Sequence, residues 1–269
     1  MSNINEKSNF ECKIFWNKDC LLPDDALNLA INIPSTTYEE SLPLTTTDAT
    51  EVFSPPEGLE FETDCDTAKI TRYKGTATNV IIPSTIKHYD KTYIVTSIGE
   101  NAFEDCENLT SVSIPNGVKN IGEHAFTFCR NLTSISIPNS VTSIGKSAFS
   151  YCSSLKSVTM GNSVTSIDLA AFSYCSSLTS ITIGNSVTSI GKSAFSYCSS
   201  LKSVTFENTS GWLVTNSFNF KSKSVSSVKL ANTSTAAKYL TSTYCHYYWE
   251  RAGTTSFDPL DILLDALSN

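Results

Sequence analysis

Charge is scarce in this chain: 17% of its 269 residues are Asp, Glu, Lys or Arg, and there are only three histidines and two methionines. Lysines and arginines never gather into a stripe, so the counterion release that drives binding to nucleic acid or to an anionic membrane has no source here. No apolar run reaches the ~18 residues that a membrane-spanning helix needs. The first residues, MSNINEKSNFECKIFW, carry neither the apolar core of ~7–15 residues nor the small-residue cleavage site of a secretion signal.

Catalytic signatures are missing as well. No Gly-x-Ser-x-Gly elbow, phosphate-binding loop or His-Glu-x-x-His occurs, so no activated nucleophile or phosphate cradle is encoded. Acidic residues of the central region, such as Glu123 and Asp168, stand alone rather than paired for acid–base work. Nine cysteines are present, none in Cys-x-x-Cys spacing, and His88, His124 and His246 lie in different contexts, which leaves zinc without a ligand set. The expectation is a non-enzymatic protein with no cofactor and no metal.

What the chain has in excess is hydroxyl. Its 41 serines and 32 threonines make up just over a quarter of the residues, far above ordinary usage. The net charge of -7 belongs to the N-terminal third: residues 1–94 hold 15 acidic and 8 basic side chains, whereas 95–206 hold six of each.

A 23-residue period organises the rest. Cys106, Cys129, Cys152, Cys175 and Cys198 keep this step, as do Phe103, Phe126, Phe149, Phe172 and Phe195, and Leu109, Leu132, Leu155, Leu178 and Leu201. Residues 140–159 and 186–205 are the same 20-mer, SVTSIGKSAFSYCSSLKSVT, which marks duplication. Within a unit, Val158 and Met160 alternate with Ser157 and Thr159 as a half-buried strand requires. Pro115-Asn116, Pro138-Asn139 and Gly161-Asn162 then turn the chain. Val164 to Ile167 reads as a second short extended piece, and Gly145 to Cys152 as a single helical turn. About seven apolar side chains per unit, at ~2 kcal/mol each, cannot offset the cost of ordering 23 residues at ~1–2 kcal/mol each. One unit should not fold alone; a stack can.

The unit from Asn131 to Ser153, NLTSISIPNSVTSIGKSAFSYCS, resembles the BspA-like, Treponema-type leucine-rich repeat. Residues 95–206 carry the match strongly, and Ile82-Pro83 aligns with Ile114-Pro115 after an insertion of nine residues, 87–95. Asp168, in place of the glycine of other units, and Asp105, where later units have Phe or Tyr, are departures that leave the pattern intact. The resemblance implies a predominantly β leucine-rich repeat solenoid of the α/β class with a parallel sheet and capping segments. It also implies a place at the cell surface or outside the cell, adhesion, and a protein partner such as a host extracellular-matrix or surface protein. The missing secretion signal points instead to the cytoplasm or an unconventional route.

The expected organisation is an acidic Pro/Thr-rich arm, partly disordered, over 1–58, with one short helix over Asp24 to Ile33. A strand-rich N-terminal cap over 59–94, the repeats over 95–206, a C-terminal cap over 207–252 and a tail over 253–269 follow. Helical spacing of Ala237, Leu240, Tyr244, Tyr247 and Tyr248 after a Ser234 N-cap predicts an amphipathic helix closing the stack. Trp212 and Phe218 to Phe220 are placed in strands beneath it.

Three side-chain columns are candidates for function. Ser111, Ser134, Ser157, Ser180 and Ser203, with Ser113, Ser136, Thr159, Thr182 and Thr205, occupy the outward positions of the stacked strands, as a partner-binding face or a merely solvated one. Tyr151, Tyr174 and Tyr197, following Phe128, form an aromatic column that packs on itself or serves as an interface anchor. The column cysteines are read as buried reduced thiols, because side chains pointing the same way do not meet the geometry of a disulfide; Cys12, Cys20, Cys65 and Cys245 have no assignment. The leading expectation is a binding module using the sheet face. The alternatives are a self-associating structural repeat and, from Thr142, Thr165 and Thr188, an ice-binding-like array.

Overall fold

A computed structural model describes residues 55–216 and 222–254. The arm before residue 55, with its Asp24–Ile33 helix, the segment 218–220 and the tail from 255 onward lie outside the described residues.

The N-terminal cap consists of β1 (Leu59–Asp64), β2 (Thr67–Tyr73), β3 (Asn79–Ile81), β4 (Thr85–His88) and β5 (Lys91–Ile98). The nine-residue insertion supplies most of the β4–β5 hairpin, in which His88 pairs with Lys91. Each coil then gives two short strands. The first series is β6 (Ser111–Ser113), β8 (Ser134–Ser136), β10 (Ser157–Thr159), β12 (Ser180–Ile183) and β14 (Ser203–Phe206). The second is β7 (Asn120–Ile121), β9 (Ser143–Ile144), β11 (Ser166–Ile167) and β13 (Ser189–Ile190).

These two series build two walls. The front sheet runs in the order β3-β6-β8-β10, with β12 and β14 paired beyond it. The back sheet threads β1, β2, β5, β7, β9, β11 and β13 into one surface with the C-terminal cap. Register follows the period: Ser134 faces Ser157, Ser180 faces Ser203 and Ser166 faces Ser189.

The predicted helical turn of each unit takes another form. From Gly145 to Cys152, backbone N–H groups alternate between local bonds and bonds to the next coil: Ala148 N donates to Gly145 O, and Phe149 N to Ala171 O at 2.7 Å. That alternation needs left-handed residues, and Ser147 and Tyr151 have φ of 53° and 59°. The same two positions recur in every coil, at Asn101, His124, Ala170 and Ser193 and at Asp105, Phe128, Tyr174 and Tyr197. Left-handed backbone costs a non-glycine residue ~1–2 kcal/mol, which the inter-coil bonds of this third wall offset. Spacing of i, i+3 alone does not distinguish this ladder from a helical turn.

Between the walls lies one continuous core, with Phe103, Phe126, Phe149, Phe172 and Phe195 fully buried. Their rings stack at 4.9 to 5.5 Å with planes within 11°. Beside them the thiols of Cys129, Cys152, Cys175 and Cys198 each donate to the phenylalanine carbonyl of the preceding coil, as Cys152 Sγ does to Phe126 O at 3.2 Å and Cys198 Sγ to Phe172 O at 3.1 Å. A cysteine column thus fills small spaces and satisfies a row of buried acceptors.

The C-terminal cap comprises β15 (Trp212–Asn216), β16 (Ser222–Ser224), α1 (Ser227–Ala231), α2 (Thr233–Lys238) and β17 (Tyr247–Arg251). Its helix is shorter than the spacing predicts. Asn232, not Ser234, is the N-cap, accepting from Thr235 N at 2.9 Å, and after Lys238 the chain widens into a single π turn, Tyr239–Thr243. Tyr247 and Tyr248 belong to β17, which pairs with β13 and β15. Aromatic residues three and four apart suit a strand edge as well as a helix face, and here back-sheet pairing wins. Ala236, Ala237 and Leu240 are buried, and Trp212 and Trp249 close the core against Phe206.

Candidate functional site

Hydroxyl groups divide into two kinds by what they bond. Thr133, Thr142, Thr165 and Thr188 each donate to a main-chain carbonyl of the preceding coil at 3.0 to 3.2 Å. Ser150 and Ser173 are buried and bond to each other at 2.7 Å. These hydroxyls hold coils together, and the array Thr142, Thr165, Thr188 has its protons committed inward. On the front sheet, Ser111 bonds to Asn79 Oδ1. Among the described residues, Ser113, Ser134, Ser136, Ser157, Thr159, Ser180, Thr182, Ser203 and Thr205 make no side-chain hydrogen bond to protein. All but Ser203, which is half-buried, are exposed. Their bonding capacity is open to water or to a partner.

The front wall has a depression. Ser113, Ser136 and Thr159, at the ends of β6, β8 and β10, line a groove of about 420 Å³ with Asn116, Asn139, Pro138 and Met160. Its floor takes in Val112, Ile114 and Ile137, and no charged side chain lines it. The structure therefore brings three of the predicted hydroxyls together with turn residues that alternation alone did not select. The asparagines could have been found from their own period of 23. A second addition is Ile81, which stands in register with Ser113 at the head of the outer column and is 70% exposed.

The aromatic column is stacked: Phe128 on Tyr151 at 4.7 Å, Tyr151 on Tyr174 at 4.3 Å, and Tyr174 on Tyr197 at 4.3 Å. Arg130 lies over the Phe128 ring at 5.0 Å. Lost hydration and the neighbouring Tyr151 and Tyr197 hydroxyls push the Tyr174 phenol up to about 12. Tyr197, at the end of the ladder, is 61% exposed.

Burial pushes the thiols of Cys129, Cys152 and Cys175 far up, and that of Cys106 up to about 11, with the Asp105 charge adding to it. All five column cysteines and Cys245 are free, whereas Cys65 is disulfide-bonded. Neutral, buried thiols are poor nucleophiles and poor ligands. Among the described residues no cluster of three His, Cys, Asp or Glu is placed to hold a metal ion, and no helix is long and apolar enough to cross a membrane.

Coils of fixed length, two parallel walls and a shared apolar spine define a leucine-rich repeat solenoid. The model of the BspA type leucine rich repeat region matches in six copies, over residues 73–183 and 96–225, and the chain belongs to that family. Solved structures agree. A leucine rich repeat protein of T. pallidum is 35% identical over 56% of this chain and 70% of its own, with a TM-score of 0.53. One from Bacteroides ovatus is 36% identical over 55% of this chain, with a TM-score of 0.52, and this chain spans 39% of its length. No curated protein matches the chain.

Proposed function

We propose that the chain is a non-enzymatic interaction module whose front-sheet face binds a protein partner. One observation carries this reading: apart from Ser111, the outward hydroxyls of the front wall make no hydrogen bond to protein among the described residues, while Thr133, Thr142, Thr165, Thr188, Ser150 and Ser173 bond across coils. A face of neutral donors and acceptors suits close apposition, since no isolated charge must be stripped of water. The family's association with microbial surfaces and adhesion supports a surface location and an extracellular-matrix or host surface protein as partner.

The test is surface plasmon resonance against immobilised extracellular-matrix proteins. Replacing Ser157, Thr159, Ser180 and Thr182 by lysine should weaken binding at least ~100-fold, as several desolvated contacts are lost. An unchanged affinity would show that the face is not the site.

A second reading, self-association, is favoured by the outer edge of β3, which no strand among the described residues pairs, and by the exposed Ile81 within it. Light scattering separates the two: a constant mass across concentrations supports the module, and growth with concentration supports assembly.

A further inference from the structure

The front wall is parted at one place. β10 pairs with β8 and β12 pairs with β14, but no strand pairing joins β10 to β12. Every other step of the front wall keeps at least one flanking main-chain bond. Thr133 N donates to Thr110 O at 3.1 Å, although Ile114 N has no main-chain acceptor among the described residues; Ile137 N donates to Thr159 O and Lys156 N to Thr133 O, both at 2.9 Å, and Lys202 N to Thr179 O at 3.0 Å. Among the described residues the equivalent amides at the parting, Met160 and Thr179, have no main-chain acceptor.

The parting runs on through the adjoining turn. Asn162 N donates to Asn139 Oδ1 and Asn208 Nδ2 to Asn185 Oδ1, but no bond links Asn162 with Asn185. Gly161 lies so close to the preceding coil that a Cβ would come within 2.4 Å of Pro138 O, whereas a Cβ on Gly184 would meet only the Glu207 carboxylate, at 3.9 Å. The coil of β10 is thus drawn toward its predecessor and away from its successor. Val158 and Met160 are half-buried, unlike Ile135, Ile137, Ile181 and Ile183, which are buried.

The other two walls stay closed between the same coils. Thr188 N donates to Thr165 O at 2.8 Å and Gly191 N to Ile167 O at 2.7 Å on the back sheet. On the third wall Phe172 N donates to Ala194 O at 2.8 Å and Tyr174 N to Ser196 O at 2.9 Å. A stack held on two sides and released on the third bends about the closed sides.

We propose that the parting between β10 and β12 is a hinge, at which the solenoid opens and closes its front wall about the back sheet. Motion there alters the spacing between Thr159 and Thr182 and the end of the groove at Met160 and Gly161. On the reading of this face as the binding surface, the hinge lets one sequence fit partners of different curvature; the hinge itself does not depend on that reading.

Amide hydrogen exchange on the full chain, with no partner present, tests it. Met160 and Thr179 should exchange at least about tenfold faster than Ile137, Lys156 and Lys202, while Thr188 and Gly191 remain protected. Two variants should slow exchange at Thr179. G161P restores the residue of earlier coils and pushes the β10 coil back toward β12, and S157C/S180C joined by a short bis-thiosulfonate linker clamps the wall. Equal protection of Thr179 and Lys156 in the natural sequence would overturn the hinge. So would exchange at Thr188 as fast as at Thr179, because the whole coil would then be unfolding, and so would a Thr179 rate that neither variant changes.

Discussion

The cysteine column shows how a single residue type is fixed by two demands at once. Each position needs a side chain small enough to sit beside a stacked phenylalanine and able to donate to the carbonyl behind it; serine would bring a shorter, more strongly hydrated group, and alanine no donor. The buried thiols make stability depend on alkaline pH. Cys129, Cys152 and Cys175 start from an ordinary value of 9.0 and are raised by burial in the folded chain. As pH climbs past that value the unfolded chain loses its thiol protons first, so the folded state binds more protons and stability falls. The expected slope is roughly 1.4 kcal/mol per pH unit for each buried thiol. Urea unfolding from about pH 8 to 10 should show this decline, and Cys152→Ala, less stable by about 1–2 kcal/mol at neutral pH, should show a shallower one. A profile of equal slope in both proteins would mean that the Cys152 thiol is hydrated when folded.

At the scale of an element, the aromatic ladder makes a graded prediction. Tyr174 is stacked on both faces and Tyr197 on one, with its other side in solvent. Pairs of this kind contribute ~0.5–1.5 kcal/mol beyond burial, so Tyr174→Ala should cost about twice what Tyr197→Ala costs in denaturant unfolding. Equal losses would show that the rings act singly. The ladder was legible as a column because its members repeat every 23 residues, and so were the two strands of each coil, whose apolar residues alternate. The turn between them was not, since a helical turn and a ladder of alternating left-handed residues place the same apolar side chains inward. The distinction lies in Ser147, Ala170 and Ser193, residues with no sequence preference for positive φ. The cap departs from its expected helix for a similar reason: Tyr247 and Tyr248 carry helical spacing, but the edge of β13 recruits them into a strand. Of the site, the hydroxyl column could be predicted by alternation. The groove could not, because it depends on where turn residues of successive coils fall relative to strand ends.

For the whole molecule, the period makes stability a sum over neighbours rather than a property of one global core. Every core column continues through the same step, so a coil contacts the coil before it and the coil after it. Removing one full period should then leave a shorter but complete solenoid. Deletion of residues 160–182 joins Thr159 to Ile183 and keeps the phenylalanine, cysteine and leucine columns in register. It takes out one rung of inter-coil bonds and the apolar burial that goes with it. The shortened protein should retain a β-rich circular dichroism spectrum and one cooperative unfolding transition at a lower temperature, because fewer interfaces oppose the same capping cost. Deleting only residues 160–170 is the control. It removes fewer residues but shifts every later column off its spine, turning Phe172 and Cys175 away from Phe149 and Cys152, and it should abolish folding from that point to the C-terminal cap. If the shorter deletion were the better tolerated, chain length rather than register would govern this fold.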